Sequence, residues 1–237
     1  MTTVATPLIS EQAEKVLNHR YFLKNPGEII EDSTTLFKRV AKAIASVEKT
    51  YFILPVEAEL IENDFYEMMA TLEFVPNSPT LMNAGTEQGT LSACFVLPLE
   101  DSMEGIMKAA TDSAMVQKFG GGTGFSLSLL RTTHGIACGP IEVLKTLSRV
   151  SSMITQGGKR DGANMAVMSI YHPDILDFIS CKSTEGDIHN FNISVGVDSH
   201  FMECVVNELN YNLINPKTNQ IADTLNAREV FNQIIDG

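Results

Sequence analysis

The chain has 237 residues, of which 44% are hydrophobic and 19% charged, a balance typical of a globular protein with a sizeable core. The formal net charge of -12 excludes broad binding to a nucleic-acid backbone, although a few placed cations and backbone N–H groups can still bind a small phosphate. No apolar run approaches the roughly 20 residues that span a bilayer. The first residues lack the charged and apolar regions of a signal peptide, so we expect a cytoplasmic protein without a membrane segment.

The first 75 residues predict a mostly helical region. A helical apolar pattern begins at Ala13 and is broken by Asn25-Pro26-Gly27. Ser33 is the predicted N-cap of a second helix, in which apolar residues recur at the spacing of a buried helix face. A third helix is predicted over Ala58–Thr71.

Residues 76–237 predict a second region, in which short strands alternate with helices. A buried strand is predicted over 93–97 because an apolar run stands there between polar segments. The later predicted elements are a helix at 103–119, a strand at 125–130, a helix at 139–152, a strand at 165–170, a helix at 173–180, a strand at 191–197, and helices at 199–207 and 226–235. This order favours an α/β layer with at least partly parallel strands.

Two glycine-rich segments could bind a nucleotide. The run GGGTG at 120–124 is followed by neither a Walker lysine nor the last glycine of GxGxxG, so a tight helix-to-strand turn is its favoured interpretation. The segment QGGKRDGAN at 156–164 concentrates amide and charged side chains. A loop that contacts a base and a phosphate would use most of them, but a solvated surface loop remains the alternative.

Polar groups and a thiol surround the predicted strand at 93–97. Asn77-Ser78-Pro79-Thr80 supplies hydroxyl and amide groups, which could equally form an ordinary polar turn. Ser92-Ala93-Cys94 places a thiol at the start of the apolar run. The four cysteines form no CxxC pair and no zinc-binding spacing, so no metal site is predicted; a buried apolar role is the simplest interpretation of each. They are Cys94, Cys138, Cys181 and Cys204.

The order of these motifs resembles the catalytic (large) subunit of ribonucleotide reductase. The motifs are NSPTLMNAG, LSACFVLPLEDS, GGGTGFSLSLLR, QGGKRDGANMAVM, HPDILDFI and NFNISVGV. The resemblance is greatest to the adenosylcobalamin-dependent class II branch, through the opening RYFLKNPGE and LFKRVAKAIA and the absence of a recognisable ATP-cone. It implies a helical N-terminal region followed by the first half of a ten-stranded α/β barrel. It also implies adenosylcobalamin as cofactor and a homodimer packed through the helices near 103–119 and 139–153, which could instead only cover the sheet.

The resemblance also implies roles for individual residues. Cys94 would be one of two thiols that form a disulfide while the ribose 2′-hydroxyl of the ribonucleotide substrate leaves as water. A thioredoxin-like protein or another dithiol would reduce that disulfide again. The other implied substrate-binding residues are Ser78, Thr80, Ser92, Ala93 and Gly122. Those implied for a deoxynucleoside triphosphate effector are Asp101, Ser102 and Arg131. Those implied for the loop that connects effector to substrate choice are Gln156, Lys159 and Arg160.

The sequence departs from the family pattern in one respect. Radical chemistry in that family needs a cysteine and a glutamate in an Asn-x-Cys-x-Glu motif, and no such motif occurs in these residues. We therefore expect that this polypeptide alone cannot reduce nucleotides. It would then be part of a longer enzyme or one half of a split reductase. A catalytically silent nucleotide-binding module is the alternative. The sequence leaves open whether the substrate is a di- or triphosphate.

Overall fold

The computed structural model describes residues 6–25, 28–51, 54–87, 89–133, 138–156, 160–161, 163–183 and 188–236. By its internal contacts the chain forms two compact units, Met1–Ala93 and Cys94–Gly237. Each unit contains its own cluster of buried hydrophobic side chains. The boundary predicted between residues 75 and 76 follows the change in sequence pattern, and it stays a prediction.

The first unit is mainly helical. Its elements are α1 (Glu11–Arg20), β1 (Lys24–Asn25), β2 (Glu28–Ile29), α2 (Ser33–Ala45), a 3-10 helix (Ser46–Tyr51), α3 (Pro55–Ala70) and α4 (Ser78–Asn83). The sequence did not predict α4, whose polar residues resemble those of a turn. The apolar face of α2 packs on α3 and α4 through buried side chains that include Leu36, Phe37, Val40, Tyr66 and Leu81.

The N-cap of α2 is Asp32, so the prediction of Ser33 was wrong by one residue. The Asp32 carboxylate accepts from the Thr35 backbone N–H at 2.7 Å, and the Thr35 hydroxyl accepts from the Asp32 N–H at 2.8 Å. Asp32 has the extended backbone that a cap requires, whereas Ser33 is already helical. The Thr35 hydrogen bonds lower the pKa of the Asp32 carboxyl below its ordinary value of 3.8.

Arg39 of α2 forms a largely buried ion pair with Glu31 and also holds α4 against α2. Arg39 Nε lies 2.7 Å from Glu31 Oε1, and the two side chains are only 12% and 5% exposed. Arg39 also donates to the backbone carbonyls of Leu81, at 3.1 Å, and of Ala84. These carbonyls belong to the end of α4, where no further helical turn supplies donors. One guanidinium therefore both neutralises a buried carboxylate and caps a helix.

The second unit contains a four-stranded parallel sheet. Its elements are β3 (Cys94–Val96), α5 (Met103–Lys118), β4 (Gly122–Ser126), α6 (Gly139–Ser152), β5 (Thr155–Gln156), β6 (Arg160–Asp161), β7 (Asn164–Ser169), α7 (Ile175–Ser180), β8 (Phe191–Gly196), α8 (Ser199–Val206), β9 (Asn210–Ile214), β10 (Ile221–Asn226) and α9 (Ala227–Asp236). The sheet order is β3-β4-β7-β8. Because sheet order follows chain order, the strands wind in one direction without a reversal, as barrel strands do and doubly wound sheets do not.

This architecture confirms the predicted helical region followed by an α/β part. The antiparallel hairpin of β9 and β10 was not predicted. Its second strand is largely exposed and carries polar residues, so it lacks the alternation of apolar side chains by which a strand is recognised.

The two faces of the parallel sheet differ in burial. On one face, Phe125, Ala166 and Met168 are buried in the core of the unit. The opposite face is open, and Cys94 and Val96 are exposed there. The strand predicted over residues 93–97 is present as β3, but its predicted burial was wrong: Val96 is 88% exposed, because β3 is an edge strand and its alternate side chains point to the open face.

The glycine run after α5 divides into a turn and a strand. Gly120 has a φ of +90°, which ends the helix in a left-handed conformation. Gly121 donates to the carbonyl of Val116 at 3.1 Å. From Gly122 onward the run is β4, so the strand begins three residues before the predicted Phe125. The favoured interpretation as a helix-to-strand turn is confirmed for its first glycines only.

A buried polar network joins the sheet to α5 and α6. The Asn164 Oδ1 of β7 accepts from Gln117 Nε2 of α5 at 2.7 Å and from the Thr123 hydroxyl of β4 at 2.5 Å. The Asn164 Nδ2 donates to Ser151 Oγ of α6 at 3.0 Å. All four side chains are buried. Such a network stabilises one arrangement of the elements, because any shift leaves buried polar groups unpaired.

We expect Arg39→Met to destabilise the first unit by about 3–5 kcal/mol, because it leaves Glu31 buried without its cation and removes the donors to α4. Urea unfolding followed by circular dichroism measures this loss. Lys42→Met, on the same helix and exposed, is the matched control and should change stability by less than about 0.5 kcal/mol. Equal effects of the two substitutions would contradict the role given to the ion pair.

Candidate functional site

Ser78 and Thr80, two of the predicted substrate residues, lie on α4. Asn77 caps this helix: its Oδ1 accepts from the Thr80 backbone N–H at 3.0 Å and from the Thr80 hydroxyl at 2.6 Å. The Thr80 hydroxyl also lies 3.0 Å from the Leu91 carbonyl. The Ser78 hydroxyl is exposed and lies 2.8 Å from the hydroxyl of Tyr21. Both side chains are therefore oriented by hydrogen bonds within the first unit.

The segment with Ser92 and Ala93 is held next to the same helix. Asn83 Nδ2 of α4 donates to the Thr90 carbonyl at 2.7 Å, and the Ser92 N–H donates to the Thr90 hydroxyl at 3.2 Å. Ser92 is exposed and Ala93 is half-buried. Within the first unit, these hydrogen bonds group Ser78, Thr80 and the segment that carries Ser92 around α4, and Ala93 follows Ser92 in the chain.

Cys94 and Gly122 are direct neighbours in the second unit. They are register partners in the parallel pair of β3 and β4, and Gly124 is the partner of Val96 in the next row on the same open face. Because Gly122 and Gly124 carry no side chains, nothing projects from the sheet at these two positions, and a ligand can approach the backbone beside the Cys94 thiol. The Cys94 thiol is exposed at this surface.

The four cysteines differ in environment. Cys94 and Cys138 are exposed, so the interpretation of each cysteine as a buried apolar residue was wrong for these two. Cys204 is buried in the core, as that interpretation predicts. Cys181 is half-buried, and burial raises the pKa of its thiol, which lowers its reactivity.

Asp101 and Arg131, predicted effector residues, form an ion pair across 30 positions of sequence. Arg131 Nε lies 2.9 and 3.0 Å from the two Asp101 carboxylate oxygens, and Arg131 Nη2 donates to the Asp101 backbone carbonyl at 3.0 Å. Lys217, on the turn between β9 and β10, places its Nζ 3.8 Å from the same carboxylate. Two exposed cations therefore flank one carboxylate.

Ser102, the third predicted effector residue, is the N-cap of α5. Its Oγ accepts from the Gly105 backbone N–H at 3.0 Å. The hydroxyl hydrogen is left to donate elsewhere. Asp101, Ser102 and Arg131 thus meet at the N-terminus of a 16-residue helix, where the helix dipole favours a negative charge. The exposed Arg131 guanidinium and the helix N-terminus both favour a negatively charged group at this place.

The predicted specificity loop is described in part. Gln156 and Arg160 are register partners in the hairpin of β5 and β6, and Lys159 lies outside the described residues. Asn164, counted among the polar groups of this loop, has a different role. Its amide is buried in the network between β7 and the helices, and its Nδ2 also donates to the Asn190 carbonyl at 3.2 Å.

Two residues next to this site were not predicted as functional. His172 and Asp174 are buried and bond to the segment that carries Arg131. The signal available in the sequence was the polar run His172-Pro173-Asp174 directly before the apolar helix ILDFI. Buried polar residues of this kind are indistinguishable from surface residues until the fold is known.

Among the described residues, no three His, Cys, Asp or Glu side chains are placed together to hold a metal ion. No helix in that part of the chain is long and apolar enough to cross a bilayer.

Comparison with known families matches both units. Residues 8–89 match the family described as ribonucleotide reductase, all-alpha domain, and residues 92–235 match ribonucleotide reductase, barrel domain. The chain belongs to the ribonucleotide reductase family. The resemblance inferred from the sequence motifs is confirmed, and the one-directional parallel sheet is part of the family's barrel.

Vitamin B12-dependent enzymes are among the relatives. The chain is 39% identical over 286 residues to the vitamin B12-dependent ribonucleoside-diphosphate reductase of Thermoplasma acidophilum, covering 94% of this chain and 37% of that protein. It is 38% identical over 235 residues to the enzyme of the same name from Mycobacterium tuberculosis, covering 95% and 34%. The ribonucleoside-diphosphate reductase subunit alpha of Chlamydia muridarum is 28% identical over 213 residues, covering 84% and 20%. The chain spans about a third of the length of the two B12-dependent relatives.

The exposure of the cysteines predicts their reactivity. In the 237-residue chain, Cys94 and Cys138 should react rapidly with a thiol reagent under native conditions, and Cys204 should react only after unfolding. Mass spectrometry of the labelled peptides over time measures each rate. Cys94→Ser and Cys138→Ser should each remove one rapidly reacting thiol, whereas Cys204→Ser should remove neither. Protection of Cys94 equal to that of Cys204 would contradict the open face described for β3.

Proposed function

We propose that this chain supplies the helical domain and the first half of a ten-stranded barrel of a vitamin B12-dependent ribonucleotide reductase. The observation that carries the proposal is the exposed Cys94 thiol beside Gly122 on the open face of a parallel sheet. The relatives from Thermoplasma acidophilum and Mycobacterium tuberculosis are ribonucleoside-diphosphate reductases, which favours ribonucleoside diphosphates as substrates. The alternative is a ribonucleoside triphosphate substrate, and comparing turnover of the di- and triphosphates distinguishes the two.

Cys94 is proposed to donate one of the two thiols that reduce the ribose. Removing the 2′-hydroxyl as water and replacing it with hydrogen takes two electrons and two protons. Two thiols supply both when they become a disulfide, so the reaction balances without another reductant in the site. The partner thiol is assigned to residues other than these 237. A thioredoxin-like protein or another dithiol then restores the two thiols by disulfide exchange.

The substrate is proposed to lie over the glycines of β4. Gly122 and Gly124 allow the ribose to approach the sheet closely, at the level of the Cys94 thiol. The hydroxyl and backbone groups of Ser78, Thr80, Ser92 and Ala93 are proposed to bind the substrate phosphates and ribose. Hydrogen bonds that group Ser78, Thr80 and the segment of Ser92 around α4 in the first unit support this proposal, and Ala93 is included because it follows Ser92.

Asp101, Ser102 and Arg131 are proposed to bind a deoxynucleoside triphosphate effector. A carboxylate suits a ribose hydroxyl and a guanidinium suits phosphate. Gln156, Lys159 and Arg160 are proposed to transmit the identity of the effector base to the substrate site. That transmission requires the effector to bind alternative loop arrangements with different affinity.

Helices α5 and α6 are proposed to form a homodimer interface. Three methionines of α5 are exposed although their side chains are apolar: Met103, Met107 and Met115. Flexible apolar side chains of this kind adapt well to a partner surface. The alternative, in which these helices only cover the sheet, leaves that apolar surface in water.

Adenosylcobalamin is the cofactor favoured by the names of the relatives, and when bound it supplies the radical that begins the reaction. None of the described residues is assigned to the cofactor. The roles given to this chain are binding, orientation and reduction by the Cys94 thiol.

Catalysis is proposed to require residues besides these 237, because the sequence has no Asn-x-Cys-x-Glu motif for the radical cysteine and its general base. Turnover by the 237-residue chain with cobalamin and a dithiol would contradict this. A silent nucleotide-binding module would bind effector and never support turnover with any second polypeptide. A cytoplasmic location is part of the same proposal.

Cys94→Ser in the full-length protein tests the reducing role. Turnover of ribonucleoside diphosphates with cobalamin and a dithiol should fall by at least about a thousandfold, because a hydroxyl cannot form the disulfide. Product deoxynucleotide is measured by chromatography, and substrate affinity should be kept. Cys138→Ser, a substitution of the other exposed cysteine, is the matched control and should retain turnover. Full activity of Cys94→Ser would remove Cys94 from the reaction.

Arg131→Ala in the full-length protein tests the effector site. The dissociation constant of the effector should rise about tenfold to a hundredfold, as expected for the loss of charge-assisted hydrogen bonds to phosphate. Isothermal titration with dATP, dCTP, dGTP and dTTP, each alone, measures it. Arg20→Ala removes an exposed arginine of α1 and should leave binding unchanged. Unaltered affinity of Arg131→Ala for every effector would refute the assignment.

A further inference from the structure

We propose that His172 and Asp174 are positioning residues of the effector site. They hold the segment of residues 130–133, here called the arginine segment, so that Arg131 is presented to the effector in one orientation. The inference deepens the proposed function and rests on the assignment of Arg131 to effector binding.

His172 fixes the start of the arginine segment. Its side chain is only 2% exposed. The Nδ1 atom lies 3.0 Å from the Asp174 backbone N–H and accepts from it. In the neutral ring the other nitrogen then carries the hydrogen, so Nε2 donates to the Leu130 carbonyl at 2.8 Å. The ring therefore joins the residue before Arg131 to the N-terminus of α7.

Asp174 fixes the end of the arginine segment. Its Oδ2 accepts from the Thr133 backbone N–H at 2.9 Å and from the Thr133 hydroxyl at 3.1 Å. Its Oδ1 accepts from the Thr132 hydroxyl. The residue is only 8% exposed, and within the part of the chain that the structure describes its carboxylate forms no salt bridge. A buried carboxylate of this kind is tolerated only while its donors stay in place.

The hydrogen bonds of these two residues lie on both sides of Arg131 and leave its side chain free of the core. The Arg131 backbone N–H donates to Asp101 Oδ1 at 3.2 Å, and its side chain is 51% exposed. An exposed arginine on an unrestrained segment would lose conformational entropy when it binds a phosphate. A segment that is already fixed loses less, so the same contacts give a tighter complex.

A purely structural role for Asp174 makes a different prediction. Loss of a core hydrogen-bond acceptor would lower thermal stability and reduce the affinity for every ligand to a similar extent. If Asp174 is a positioning residue, its substitution reduces the affinity for the effector alone, and only while Arg131 is present. The two roles are separated by measuring effector and substrate affinity in a cycle of single and double variants.

The experiment uses the full-length protein and the substitution Asp174→Asn. The amide keeps the shape of the carboxylate but loses its negative charge and one acceptor oxygen. The charge-assisted hydrogen bonds from Thr133 become weaker neutral ones, and the Thr132 hydroxyl loses its acceptor. The dissociation constant measured for dATP, dCTP, dGTP or dTTP should rise about tenfold, with that of the ribonucleoside diphosphate unchanged. Asp177→Asn makes the same chemical change at an exposed position of α7 and should alter neither constant.

The double variant decides whether Asp174 acts through Arg131. In the Arg131→Ala background, Asp174→Asn should produce no further weakening. Additive losses would overturn the positioning role and leave the effector site intact. If Arg131→Ala itself has no effect, the proposed effector site fails, and the positioning role fails with it. If Arg131→Ala reduces the affinity for the effector and Asp174→Asn does not, only the positioning role is overturned.

A second pair of variants covers the case in which Asp174→Asn does not fold. Thr133→Val removes a single hydroxyl donor to Asp174 and keeps the side-chain shape, whereas Thr133→Ser keeps the hydroxyl. Effector affinity should fall about threefold to tenfold in Thr133→Val and stay near its original value in Thr133→Ser. Equal affinity of these two variants would overturn the inference.

Discussion

The side chain of Asn164 determines how the second unit is arranged. Its amide accepts hydrogen bonds from α5 and β4 and donates one to α6, all away from water. Hydrophobic packing alone would tolerate small slides of helices over the sheet, whereas these bonds do not. The register that places Cys94 beside Gly122 belongs to the same sheet. The position of α5, whose N-terminus carries Asp101 and Ser102, depends on the same network, so both candidate sites share one buried polar anchor.

Much of the secondary structure could be predicted from the sequence, for identifiable reasons. The bounds of α6 agree with the predicted 139–152, because Gly139-Pro140 begins the helix and buried residues follow at helical spacing. Burial was harder to predict. The residues of β3 are apolar, but an edge strand with an open face leaves Cys94 and Val96 exposed and Phe95 half-buried. Which side chains are covered depends on the elements that lie beside the strand. Asn164 shows the reverse error, since a polar residue in a polar loop motif is buried.

The candidate sites were predicted mainly through resemblance. Composition gave no reason to pair Asp101 with Arg131, and their ion pair follows from the geometry of β3, α5 and the segment after β4. His172 and Asp174 were missed because their partners are two backbone groups and two threonine hydroxyls. Such contacts require no recognisable pattern of residues in the sequence. A contact to a backbone carbonyl constrains the partner's conformation and not its residue type. Residues that position others are therefore harder to find in a sequence than residues that bind a ligand.

The edges of the parallel sheet have a consequence for handling the protein. Strands β3 and β8 each have a neighbouring strand on one side only within the described residues, so their other sides present unpaired backbone donors and acceptors. The exposed Val96 adds apolar surface to the first of these edges. Such an edge can pair with a strand of another molecule, which promotes aggregation. The 237-residue chain should therefore aggregate less at low protein concentration. A charged side chain in place of Val96 should improve its solubility.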